Sequence, residues 1–159
     1  MLKRAIFPAV FFIALDQGLK LLVQRTFALG ESRPVIPNYF DIHYVLNPGA
    51  SWGWLAGWRH SSWFLAAFAC AALVLLVVFR EKIFPPRQPF PSLTLALFLG
   101  GIAGNLIDRV RLGEVVDFIS VHWHRHHFPV FNIADMCISV GVALYIAGQS
   151  AQGRETRQQ

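Results

Sequence analysis

Residues 100–135 read GGIAGNLIDRVRLGEVVDFISVHWHRHHFPVFNIAD, a stretch with more polar and ionisable side chains than any other apolar neighbourhood of the chain. Its start closes one apolar run and its end opens another, so Asp108, Asp117 and Asp135 sit where the surrounding sequence reads as membrane. Charge is costly in hydrocarbon, and an acid retained beside it marks a functional site by default.

Outward from this stretch the sequence reads as membrane. Of 159 residues 55% are hydrophobic, and the mean hydropathy of +0.46 excludes an ordinary soluble domain. The length predicts one polytopic domain, residues 1–159. Apolar runs over about 5–23, 62–79, 92–107 and 132–148 are each long enough to cross a hydrocarbon core at 1.5 Å per residue. The polar connections are then 24–61 and 108–131. The net charge of +5 sits mainly at the ends of apolar runs, which suits anionic lipid headgroups and not nucleic acid. Cys70 and Cys137 fall inside apolar runs and read as buried packing residues. Lys3 and Arg4 precede an apolar run as in a signal peptide, but Asp16 and Lys20 interrupt it, so it reads as an uncleaved first span.

Basic residues set the topology. The N-terminus, the 80–90 loop and the tail carry seven Lys or Arg in roughly 24 residues, against six in roughly 61 for the other two connections. Both termini are therefore expected in the cytoplasm and both long loops outside. The polar ends of the first, third and fourth spans then meet at one outer interface.

Local patterns fill in this frame. Asp16 and Lys20 are four apart on one helical face with the acid first, the favourable order for a pair; a structural ion pair and a substrate contact are both open readings. Asn38–Leu46 suggests a short strand or two, and 113–123 another. Asn47, Pro48 and Gly49 signal a turn, and Trp52, Trp54 and Trp58 suit a short interfacial helix or loop in the headgroup layer. Gly100 and Gly104 permit close helix packing. Asn105, Asp108 and Arg109 share a face at i, i+3 and i+4. The tail GRETRQQ reads as disordered.

Three chemistries compete for these residues. Two neighbouring acids, Asp117 and Asp135, cannot both ionise cheaply; one keeps a proton while the other acts as base, which is what water-mediated peptide hydrolysis needs. Against this, Asp135 with Asn132 resembles a capping box, and Asp117 reads equally as a solvated loop acid. A metal reading draws on His122, His124, His126 and His127 with Asp117 or Asp135, but it lacks a helical His spacing or a cysteine pair. A transport reading makes the charges a relay, yet they crowd one interface and do not trace a route across. Ser51, Ser61 and Ser120 have no base partner and look incidental.

Asp16 and Lys20, Asn47-Pro48-Gly49-Ala50, GGIAGNLIDR at 100–109, VVDFI at 115–119 and FNIAD at 131–135 together resemble the lipoprotein signal peptidases (signal peptidase II), aspartic peptidases of the bacterial inner membrane. The segments cover most of the chain in order; SWGW after Ala50 and the His-rich 122–127 insert depart from the pattern. The resemblance implies an all-α integral membrane protein of four transmembrane helices with a small extracytoplasmic β-cradle. It implies that Asp117 and Asp135 are the catalytic dyad. Asn47, Gly49, Asn105, Asp108, Arg109, Asn132, Ala134, Asp16 and Lys20 would support it or hold substrate. Substrates would be diacylglyceryl-modified prolipoproteins cut before the lipid-bearing cysteine, membrane lipids would be partners, a globomycin-type compound would inhibit, and no cofactor or metal is expected. The alternative is a non-enzymatic four-span assembly or transport subunit.

Overall fold

The computed structural model describes residues 1–49, 57–58, 60–85, 89–124 and 126–156. In chain order these form α1 (Leu2–Thr26), β1 (Ser32–Ile36), β2 (Phe40–Asn47), α2 (Ser61–Val78), the single turn α3 (Arg80–Ile83), α4 (Pro91–Leu112), β3 (Val115–Trp123), β4 (His126–His127) and α5 (Ile133–Thr156). Helices α1, α2, α4 and α5 are each long and apolar enough to cross a membrane. Their outward faces carry bare hydrophobic side chains such as Phe7, Phe68, Val74 and Ile146. Apolar exposure on this scale is unusual for a monomer in water and natural against lipid.

Helix α4 is the centre of the bundle, packed against α1, α2 and α5. Small residues let its neighbours approach. A Cβ on Gly100 would meet Phe12 of α1, one on Gly101 would meet the Ala134 carbonyl and Ile138 of α5, and one on Gly104 would lie 2.7 Å from Asp16 Oδ2. The Gly100/Gly104 pattern thus serves α1 and α5 at once.

The strands form one antiparallel sheet, order β1-β2-β3-β4, at the end of the bundle where α1 and α4 finish and α2 and α5 begin. Val23 of α1 packs under it with Tyr44, Val116 and Phe118. This sheet is more β structure than an all-α label covers. The strand expected within 38–46 is β2. Strand β1 is exposed along its whole length, and its Pro34, tolerated on a sheet edge, shows no alternation from which a strand could be read.

The helices run further than their apolar runs. Helix α4 continues through Asp108 and Arg109 to Leu112, closed by Gly113 at φ 78°, a left-handed cap that glycine adopts without strain. Helix α5 extends to Thr156, so Gly153–Thr156 are helical where disorder is expected; 157–159 lie outside the described residues. Also outside them are Trp52 and Trp54 and most of the expected interfacial segment. Cys137 is buried, but Cys70 is exposed on α2, correcting the reading of both as packing residues.

Candidate active site

One buried cation organises the polar interior. Lys20 Nζ lies 2.8 Å from Asp16 Oδ2 and 2.8 Å from Asp108 Oδ2, and donates to Asn105 Oδ1 at 3.0 Å. Removing three charges from solvent is expensive unless every lone pair finds a donor. Here each carboxylate oxygen does. Asp16 Oδ1 accepts from the Ala134 N–H at 2.9 Å. Gln17 Nε2 donates to Asp16 Oδ2 at 3.2 Å and Asp108 Oδ1 at 3.0 Å, and the Val116 N–H donates to Asp108 Oδ2 at 3.2 Å. The cluster locks α1, α4, β3 and the start of α5 together. Gln17 carries no signal of its own in the sequence beyond being polar inside an apolar run.

Asp108 and Arg109 part company. Consecutive helical residues point about 100° apart, so Asp108 turns to Lys20 and not to Arg109, contrary to the pairing their adjacency suggests. Arg109 donates to the carbonyl of Gly49 at 3.1 Å. Gly49 in turn donates its N–H to Asn47 Oδ1 at 3.0 Å, and Ser61 Oγ donates to the Pro48 carbonyl at 2.8 Å. Ser61, incidental as a nucleophile, helps hold the Asn47 turn.

The two candidate acids are bound by asparagines. Asp117, opposite Val45 in the β2–β3 register, accepts from Asn47 Nδ2 at 3.0 Å and from Asn132 Nδ2 at 2.6 Å. Asp135 accepts from Asn105 Nδ2 at 2.8 Å. Asn132 and Asp135 also cap α5 reciprocally, with the Asp135 N–H on Asn132 Oδ1 at 2.9 Å and the Asn132 N–H on Asp135 Oδ2 at 3.3 Å. Asp135 belongs to both the capping box and the acid pair, its Oδ2 accepting from the Asn132 N–H and its Oδ1 from Asn105, so the two readings of Asp135 do not compete.

Asp117 and Asp135 line a single cavity of about 1100 Å³ with Asn47, Gly49, Asn105 and Arg109. Asp16, Lys20, Asp108, Asn132 and Ala134 are buried behind it and do not line it. Burial, and then the neighbouring Asp135, push the Asp117 carboxyl up to about 7 against the pull of its asparagine donors and Lys20. Such a group is poised between acid and base at neutral pH.

The histidines go elsewhere. His122 stacks on His127 with ring centroids 4.9 Å apart and its Nε2 lies 3.4 Å from Asp41. Among the described residues no three His, Cys, Asp or Glu side chains are grouped to hold a metal ion.

A family described as Signal peptidase (SPase) II matches residues 8–150 of this chain. The chain belongs to the signal peptidase II family. This family member is 43% identical over 145 residues to the lipoprotein signal peptidase of Syntrophotalea carbinolica, 91% of this chain and 89% of that one. It is 45% identical over 142 residues to the lipoprotein signal peptidase of Geobacter sulfurreducens, 87% and 88% of the two chains. It also resembles a bacterial membrane enzyme solved by the in meso method at 2.3 Å resolution, with a TM-score of 0.82 at 34% identity over 100% of this chain and 93% of that one. A second such enzyme, at 1.9 Å, gives 0.76 at 35% identity over 92% of each. This member of the family is thus a multi-pass membrane peptidase, and the non-enzymatic reading is not favoured.

Proposed function

We propose that Asp117 and Asp135 are the catalytic dyad of an aspartyl endopeptidase that removes the signal peptide from diacylglyceryl-modified prolipoproteins. The observation that carries the assignment is that these two acids, distant in sequence, line one cavity and are bridged by Asn132. A water between them loses a proton to the ionised acid as it attacks the carbonyl carbon before the lipid-bearing cysteine. The protonated acid donates to the carbonyl oxygen, and collapse of the tetrahedral intermediate sends a proton to the departing amine. Asn47, Asn105 and Asn132 orient the carboxylates. Arg109 and Gly49 shape the wall, while Asp16, Lys20, Asp108 and Ala134 hold the floor.

The basic-residue distribution supports cytoplasmic termini and a sheet acting as an extracytoplasmic cradle at the outer face of the bacterial inner membrane. Tryptophans at 52, 54 and 58 suit an interfacial element there. Acyl chains left in the bilayer would confine the search for the scissile bond to two dimensions, and a globomycin-type inhibitor would compete for the same cavity.

The test is cleavage of a lipidated precursor in detergent by the wild type, Asp117→Asn and Asp135→Asn, with and without chelator. Loss of cleavage in both variants with retained folding is expected, with no effect of chelator. Substantial activity in either variant overturns the dyad, and inhibition by chelator revives the histidines. A reporter after Gln159 should read cytoplasmic.

A further inference from the structure

Helix α5 runs away from the sheet, and Asp135, Met136, Ser139 and Val140 fall on one of its faces. All four line the cavity. Met136 and Val140 are 44% and 48% exposed and make an apolar sill on a helix long and apolar enough to cross a membrane. Ser139 interrupts this sill four residues, about 6 Å, farther along the helix from the sheet than Asp135.

Its hydroxyl makes no bond to the described residues. A helical Ser or Thr commonly returns its hydroxyl to the carbonyl four residues back. Ser150 does so to Ile146 and Thr94 to Phe90, both at 3.0 Å. Among the described residues Ser139 makes no such bond and has no other partner. The remaining polar residues on the cavity wall are all engaged: Asn47 and Asn105 on the two carboxylates, Arg109 on Gly49. Ser139 is exposed on this wall, so its hydroxyl is open to a ligand in the cavity.

Resting on the dyad reading above, we propose that Ser139 is a specificity-determining residue whose hydroxyl donates to an ester carbonyl of the substrate's diacylglycerol. The lipid is attached to the residue after the scissile bond, and its acyl chains must leave through the bilayer-facing side. The ester carbonyls are the first acceptors on that path, a few bonds beyond the cysteine sulfur. They therefore pass the sill one turn from the dyad, where Ser139 stands.

The experiment compares two synthetic lipopeptides that differ only in carrying ester-linked or ether-linked chains on the cysteine, since the ether lacks the carbonyl acceptor. Wild type should favour the ester about three- to tenfold in kcat/KM, the worth of one neutral hydrogen bond, with the difference residing in KM. Ser139→Ala should collapse the ester-to-ether ratio to about one, and Ser139→Thr, which keeps the hydroxyl, should restore it. Thermal unfolding in detergent checks that both variants fold. A wild-type ratio of one, or a Ser139→Ala variant that retains the wild-type ratio, overturns the role of Ser139 while the dyad stands. If wild type cuts neither lipopeptide, the lipidated-precursor reading itself fails and this assignment with it.

Discussion

Lys20 Nζ and Asn105 Oδ1 lie 3.0 Å apart in the buried interior. An ammonium can only donate, so it forces the oxygen end of the Asn105 amide toward α1 and leaves the nitrogen end to face Asp135, to which it donates at 2.8 Å. A residue that touches neither the cavity nor Asp135 thereby decides what Asp135 meets. Replacing Lys20 with Met leaves Asp16 and Asp108 buried without their cation. Loss of one partner from such a cluster costs about 3–5 kcal/mol. Thermal unfolding of Lys20→Met in detergent should show a strongly lowered midpoint or a loss of folded yield, and a midpoint equal to wild type would refute the argument.

Asn132 has two separable duties, capping α5 and donating to Asp117. Asn132→Ala should lose both, with a cost of about 1 kcal/mol for the cap and about a hundredfold in kcat for a misplaced acid. Asn132→Ser keeps a capping oxygen but no amide donor. It should recover the stability in a denaturation series yet remain slow in the cleavage assay.

With Asp117 raised to about 7, the singly protonated dyad is depleted as pH rises through that value, so kcat should fall on the alkaline side of about pH 7. Asn47 stabilises the ionised form of Asp117 and so holds its pKa down. Asn47→Ala should move the alkaline limb to higher pH, which a pH–rate profile will read. The same group affects stability. The folded state binds this proton more tightly than the unfolded chain, whose value is 3.8, so the destabilisation is absent below that pH and grows as pH rises to about 7, with no further change above.

Gly104 sits where a Cβ would lie 2.7 Å from Asp16 Oδ2 and 3.1 Å from the Ala134 Cβ. Gly104→Ala must push α4 from α1 or α5 at a cost of about 1–3 kcal/mol. Gly141→Ala, whose nearest contacts would be an ordinary 3.5 Å, serves as the control. Circular-dichroism melts should separate the two, and equal melts would mean that the bundle relaxes at Gly104.

Much of this protein is legible in its sequence because hydrocarbon imposes strict demands. Apolar runs of the right length identify the crossing helices, and acids beside them stand out as candidate chemistry. NIAD announces the cap of α5 because a helix start needs donors satisfied within four residues. Strand β1 stays hidden because an exposed edge strand has no buried face and so no pattern, and the ends of α4 and α5 are misjudged because helices continue past the last apolar residue.

What a linear chain by itself determines here is which residues are costly enough to need a reason. It leaves open which residues share each reason. Asp108 adjoins Arg109 in the chain yet bonds Lys20, 88 positions away, because successive helical side chains diverge. Asp117 and Asp135 arrive on different elements at one cavity because β3 folds back from α4 against β2 and presents Asp117 to Asn132 at the start of α5. Partnership among buried polar groups is settled by which donors and acceptors the packed helices bring within hydrogen-bond reach, and only the tertiary structure decides that.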